Sequence, residues 1–264
     1  MKKKIFLSGA GGMLGEAFYQ VFSEKYELKC TDIDVNEDWL EHLDFCDSDQ
    51  YKLLVEKFSP HYLFHIGAFT DLEFCEKNQP ETFRTNTDSV KTAVKISNKL
   101  DIPLLYISTA GIFDGLKEFY DEDDLPKPMG VYAISKYEAE KFVIQNCKKF
   151  LICRAGWMMG GGPKKDKKFI QKIVKQIKDG KKELFIVDDK FGTPTYTYDF
   201  AKNTEVKNLD YIQENNVKVF IDPKATMFLI GSEMDYSSDK LSSRFVFKNP
   251  NEKSTCGCGE SFSL

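Results

Sequence analysis

Up to about residue 200, short apolar runs alternate with longer amphipathic ones, and that rhythm admits few architectures. The runs Lys4–Ser8, Leu28–Asp32, Tyr62–Ile66, Leu104–Ser108 and Leu151–Arg154 are too short for helices and read as strands. Between them, apolar residues recur at helical intervals over Met13–Phe22, Gln50–Phe58, Asn86–Leu100 and Tyr132–Asn146. Helices that alternate with strands cover both faces of a sheet, so the expected class is α/β, with a doubly wound parallel sheet. Gly160–Lys168 is a loop by composition, followed by a helix from Phe169 to about Lys178 and a short strand at Leu184–Val187. After Asp199 the chain turns strand-rich and turn-rich. A boundary between Thr195 and Thr204 divides it into residues 1–200 and a small β-rich appendage, residues 201–264.

The 264 residues are 42% hydrophobic and 30% charged, with a formal charge of -4. Such a balance excludes a disordered chain and a basic, nucleic-acid-binding one. No stretch approaches the length of a bilayer span, so no membrane partner is expected. The opening Met1-Lys-Lys-Lys imitates a secretory leader, but the apolar run Ile5–Leu7 stops at glycines. It reads as a first strand, and the expected compartment is the cytoplasm. Of the seven cysteines, Cys30, Cys46, Cys75, Cys147 and Cys153 are scattered as reduced thiols usually are, and only Cys256 and Cys258 form a pattern. His61 and His65 flank an apolar run and read as strand-end residues.

Directly after the first strand, glycines at 9, 12 and 15 precede and open an amphipathic helix. Small residues let the backbone turn tightly and approach a pyrophosphate, while a helix start offers unpaired N–H groups and a positive dipole end. Asp32 closes the second strand, where a carboxylate accepts hydrogen bonds from the adenosine ribose. With Asp34 following and no arginine nearby, a 2′-phosphate is repelled, so NADH is expected over NADPH.

A hydride reductase needs a proton donor for the alkoxide that develops at a ketone. In Tyr132-Ala-Ile-Ser-Lys136 the phenol and ammonium stand four apart on one helix face, where the ammonium is expected to stabilise the phenolate. Tyr137 and Lys141 repeat the spacing. Five residues rotate a helix by about 140°, so both tyrosines cannot face one ligand. Tyr132, at the helix start, faces the strand ends and is the expected acid. Thr109, beside Ala110 at the carboxyl edge of the fifth strand, is placed to polarise a substrate carbonyl; the other reading is a capping hydroxyl.

Together, Gly9-Ala-x-Gly-x-Leu-Gly15, Gly67-Ala-Phe-Thr-Asp-Leu-Glu73, Asn86, Ser108-Thr-Ala-Gly-Ile-Phe-Asp-Gly115, Tyr132-x-x-x-Lys136, Arg154-Ala-Gly-Trp157 and Gly192-Thr-Pro-Thr195 resemble the dTDP-4-dehydrorhamnose reductases, extended short-chain dehydrogenase/reductases with a Rossmann fold. The resemblance implies cofactor contacts at Gly12, Met13, Leu14, Asp32, Asp44, Phe45, Ala68, Phe69 and Thr70. It also implies a catalytic set of Thr109, Tyr132 and Lys136, with Trp157 near a nucleotide sugar. At 110–111 this chain has Ala-Gly where that family usually has Asp-Tyr, which leaves open that sugar or another nucleotide sugar.

From about Glu205, Val217-Lys-Val-Phe-Ile-Asp-Pro-Lys224, Gly231-Ser-Glu-Met-Asp-Tyr236, Phe245-Val-Phe-Lys-Asn-Pro-Asn251 and the Cys256-Gly-Cys-Gly tail resemble the C-terminal half of A-type iron-sulfur carriers, the HesB-like family. Two thiolates one residue apart on a glycine-rich tail are soft ligands that suit iron, alone or in an iron-sulfur cluster, or zinc. The resemblance implies Cys256 and Cys258 as metal ligands and iron-sulfur assembly partners. The family's third ligand cysteine lies in the half that is absent here, and a homodimer would bring four thiolates together. The chain therefore reads as a reductase portion whose substrate region is truncated, joined near Tyr196–Ala201 to a partial carrier. An unmetallated tail and a chimera with neither activity intact are the alternatives.

Overall fold

The computed structural model describes residues 2–186 and 192–204 in full, together with the backbone of six short strands between Asp210 and Ser263. The first unit opens with β1 (Lys4–Ser8), α1 (Met13–Phe22), β2 (Glu27–Asp32), β3 (Leu40–His42), α2 (Ser48–Phe58) and β4 (Tyr62–His65). It continues through α3 (Leu72–Lys77), α4 (Gln79–Phe83), a π-helical turn at Arg84–Asp88, α5 (Ser89–Leu100), β5 (Leu104–Thr109), α6 (Gly130–Asn146) and β6 (Phe150–Ala155). All six strands lie parallel in one sheet, in the order β3-β2-β1-β4-β5-β6. That order reverses between β1 and β4, and the crevice at the carboxyl ends of those strands is where open sheets of this kind bind ligands.

Each strand sends alternate side chains to opposite faces, so one sheet supports two cores. Ile5 and Leu7 of β1 join Leu14, Ala17, Phe18 and Phe22 of α1 in one cluster. Phe6, between them, joins Tyr51 and Val55 of α2 and Ala139 and Val143 of α6 in the other. The helices begin where local chemistry satisfies their first amides: Asp47 accepts from the N–H of Asp49 and Gln50, and Asp71 from that of Phe74.

Beyond the sheet, β7 (Trp157–Met159) pairs in parallel with β8 (Pro194–Tyr196), bringing two of the sequence motifs side by side at Trp157 and Pro194. Between them lie α7 (Gly162–Lys165) and α8 (Phe169–Lys178), and α9 (Thr197–Thr204) follows β8. Ala201 of α9 is fully buried in the cluster that α1 builds.

Four expectations change, the first being that the loop expected over Gly160–Lys168 carries the short helix α7 at Gly162–Lys165. The helix expected over Asn86–Leu100 is regular only from Ser89, because a π turn precedes it. Leu184–Ile186 is not a strand: Phe185 is 95% exposed and, among the described residues, no neighbouring strand takes up the backbone hydrogen bonds. Val187 lies outside the described residues. β3 was not expected; three residues carry too little periodicity to read, yet they pair with β2 through Cys30 and Leu40.

The chain divides into two units, Met1–Thr204 and Glu205–Leu264. In the second, β9 (Asp210–Glu214) pairs antiparallel with β10 (Val217–Ile221), β11 (Glu233–Ser238) with β12 (Ser243–Lys248), and β13 (Ser254–Thr255) with β14 (Phe262–Ser263). Cys256 and Cys258, the expected metal ligands, lie outside the described residues. Among the described residues, no helix is long and apolar enough to cross a membrane.

Candidate functional site

The backbone turns sharply after β1 because Gly9 adopts a φ of +78° and its Cα side faces Gly67: a Cβ there would stand 2.1 Å from the Gly67 Cα. Gly15 is held equally close to the Ala10 carbonyl, which seats α1 against the turn. Gly12 is the N-cap of α1 and offers no side chain to the helix's first amides, and a Cβ on it would meet nothing within 4 Å. The uncapped amides at Met13 and Leu14, the positive helix end and the open space at Gly12 together fit a diphosphate.

Asp32 closes the rim of this cradle. Its carboxylate accepts from the N–H of Gly11 at 2.8 Å and of Asp34 at 3.0 Å, leaving lone pairs for further donors. Phe45 lies edge-on to His65 at 5.0 Å, and Asp44 accepts from the Cys46 N–H. Beneath the turn His65 is buried among the hydroxyls of Ser8, Tyr51 and Ser89, and burial pushes it down to about 3, so it stays neutral. The Ala68–Thr70 loop is pinned by Asn86, whose side chain takes the Phe69 N–H at 2.8 Å and donates to the Phe69 carbonyl and to Ser135. Asn86 appeared in the sequence only as part of a motif; its positioning role comes from the π turn that presents it.

Thr109 ends β5 at its carboxyl edge and meets Tyr132 of α6, while Lys136, one turn further along α6, lies over the Tyr106 ring. Burial pushes the Tyr132 phenol up, and a hydrogen bond from the Thr109 side chain draws it back down. Thr109 also accepts the Gly111 N–H at 3.1 Å, so it caps the turn at Ala110–Ile112 as well as meeting the phenol. Ala110 therefore sits at the mouth of the same turn. Lys136 is 4% exposed, with its Nζ 4.4 Å from the Tyr106 ring centroid. Its natural counter-charge on α6, Glu140, is taken by Arg154 at 2.7 Å. Burial therefore wins and pushes the lysine down to about 7, with Glu140 opposing. The expected pull of the ammonium on the phenol is not what sets Tyr132 here; burial and Thr109 do. Tyr137 lies instead under Lys141, itself paired with Glu138 on the outer face of α6.

α6 starts at the right place for a reason the sequence hid. Glu76 of α3 accepts the Val131 N–H at 2.7 Å, capping α6 from another element, while Gly130, at φ +79°, makes room for that carboxylate. Trp157, 42% exposed, stands between the Phe169 ring at 5.8 Å and Gly192, where a Cβ would come within 2.3 Å of the indole.

Two lysines from the Gly160–Lys168 segment reach over the cradle. Lys165 donates to the Gly11 carbonyl at 2.9 Å and to Asn36 at 2.8 Å; Lys168 donates to Thr70 at 3.0 Å. Neither stood out within a lysine-rich sequence, where such runs read as solvated faces.

The profile of the RmlD substrate binding domain matches residues 3–217. A second relative covers a different share: the mitochondrial iron-sulfur cluster assembly 1 homolog of Danio rerio is 47% identical over 98 residues, 34% of this chain and 74% of that protein. The chain belongs to both families. Among relatives of the RmlD-type portion, the dTDP-4-dehydrorhamnose reductase of Aggregatibacter actinomycetemcomitans is 26% identical over 199 residues, 75% of this chain. The chain spans 65% of that reductase's own length. The crystal structure of the Bacillus anthracis dTDP-4-dehydrorhamnose reductase in complex with NADP is 28% identical, with a TM-score of 0.67 over 77% of this chain and 69% of that one. Both of these relatives are named as reductases, one of them solved with NADP, and their fold is that of the sheet described above.

Proposed function

We propose that residues 1–200 form an NAD(P)H-dependent reductase of a nucleotide-sugar ketone and that residues 201–264 form a partial iron-sulfur carrier. The observation that carries the reductase reading is Thr109, at the carboxyl end of β5, set against the Tyr132 phenol, with a buried Lys136 one helical turn further along α6. When bound, the nicotinamide coenzyme supplies a hydride. Gly9, Gly12, Met13, Leu14 and Gly15 form the diphosphate cradle, Asp32 grips the ribose, and Asp44, Phe45, Ala68, Phe69 and Thr70 line the remainder. Thr109 donates to the carbonyl oxygen, and Tyr132, kept protonated by its burial, gives its proton to the same oxygen as charge develops there. Lys136 stabilises the phenolate left behind. Ala110 and Trp157 flank the sugar. Asp32, Asp34 and Glu37 crowd the ribose end with negative charge, which favours NADH over NADPH.

The test follows coenzyme absorbance with dTDP-4-dehydrorhamnose as the first ketone offered. Tyr132→Phe abolishes reduction and Tyr137→Phe leaves it within about twofold; turnover retained by Tyr132→Phe rejects the assignment.

The second reading rests on the 47% identity to an iron-sulfur cluster assembly protein. Cys256 and Cys258 hold iron or a cluster as cargo, a homodimer brings four thiolates together, and assembly proteins are the partners. Anaerobic reconstitution and visible absorbance test it: Cys256→Ser and Cys258→Ser lose the bound iron, and iron unchanged in both variants rejects it. The cytoplasm is the proposed compartment, and imaging of the tagged protein checks it against the mitochondrion named for the carrier's relatives.

A further inference from the structure

The rim beyond Asp32 carries more than acids. The stretch Asp32–Glu37 folds into a turn: the Asp34 N–H donates to Asp32, the Asn36 side-chain amide donates to Asp34 and to the Gly11 carbonyl, and Glu37 stands beside it. Into this turn comes Lys165 of α7, 129 positions beyond Asn36, with its side chain 7% exposed. Its Nζ lies 2.8 Å from Asn36 Oδ1, 2.9 Å from the Gly11 carbonyl and 3.3 Å from Glu37, and 5.6 Å from the Trp39 ring centroid. Among the described residues, Lys165 is the cation recorded against this turn.

Asp32 and residues 34–37 form one rim, so a 2′ substituent on a ribose held at Asp32 would lie beside that rim. Three carboxylates alone would reject a second phosphate there. A desolvated ammonium a few ångströms away changes that balance, because a charge in a partly buried site acts with far less screening than one in water. We infer that Lys165 is a specificity-determining residue of the coenzyme site: the acids set the preference for a 2′-hydroxyl, and Lys165 sets how well a 2′-phosphate is tolerated. This inference rests on the coenzyme reading above.

The arrangement also ties discrimination to the sugar side. Lys165 and Lys168 belong to the segment that runs from β7, which carries Trp157, into α8, whose first residue Phe169 meets that indole. The segment touches the adenosine end through Lys165 and the loop after β4 through Lys168.

Calorimetric titration of the intact protein with NADH, NADPH and the fragment 2′,5′-ADP tests the idea without turnover. Lys165→Met keeps the buried stem and removes the charge. Its affinity for NADPH and for 2′,5′-ADP falls about tenfold, a loss of roughly 1.4 kcal/mol, while its affinity for NADH changes by less than about twofold. Glu37→Gln shifts the ratio the other way and serves where Lys165→Met melts early. An NADH-to-NADPH ratio unmoved in both variants, or both coenzymes weakened equally by Lys165→Met, overturns the inference and leaves Lys165 as a latch. Failure of the unaltered protein to bind either coenzyme is a separate outcome and rejects the reductase reading itself.

Discussion

Lys136 carries a charge that the fold opposes, and that has a pH signature. Burial holds it at about 7, against an ordinary value of 10.5. Between those values the unfolded chain binds more protons than the folded one, so this group makes stability rise with pH across that window. Its penalty is absent above about 10.5 and complete below about 7. Lys136→Met removes the term: in urea denaturation at pH 7 and pH 10 the unaltered protein gains on the variant as pH rises, and parallel behaviour of the two refutes the assignment. Turnover is lost in Lys136→Met at both values. The residue types of this site were legible because chemistry restricts them: glycines at a close approach, a carboxylate at a strand end, a phenol and an amine one turn apart. Which tyrosine faces the edge was decided by position along α6. The forces on the phenol were not legible, since Glu140 is claimed by an arginine on another element.

Periodicity placed α1 and α8 to the residue and the starts of α2, α5 and α6 to within two or three, whereas elements built by tertiary contacts were not readable. α1 and α8 begin and end where their sequence patterns do, at Met13–Phe22 and Phe169–Lys178. β3, by contrast, exists because β2 offers an unpaired edge, and α3 is too short to show a period. α3 nevertheless decides where the first turn of α6 sits, because Glu76 supplies the cap that α6 lacks in its own sequence. Removing a helix cap costs about 1 kcal/mol, and the acid's contact with the helix dipole adds to this. Glu76→Ala therefore lowers stability by roughly 1–2 kcal/mol, and it lowers kcat more than the affinity for coenzyme, because Tyr132 sits in the first turn of α6 while the glycine cradle is untouched. Glu76→Gln, which still accepts a hydrogen bond, restores most of the loss. An unchanged kcat in Glu76→Ala would sink the capping argument.

At the scale of the molecule, two families meet in one chain, and the place where they meet carries structural weight. The first unit ends at Thr204. Its last helix, α9, is no spacer, since Ala201 is buried in the cluster that Leu14, Ala17 and Phe18 of α1 form, with Phe200 against it. α1 in turn presents the free amides of the coenzyme cradle. The part played by α9 was not legible in the sequence, because its residues suit either family. A chain ending at Thr204 keeps this support and one ending at Tyr196 loses it. The loss uncovers apolar area worth roughly 2–3 kcal/mol, and a domain of this size then melts roughly 5–10 °C lower. The longer truncate binds NADH as the full chain does and takes up no iron on anaerobic reconstitution, because it lacks Cys256 and Cys258; the shorter binds NADH more weakly as α1 loses its backing. Equal melting temperatures for the two truncates would show that α9 is dispensable to the cradle, and the joint would then be a linker.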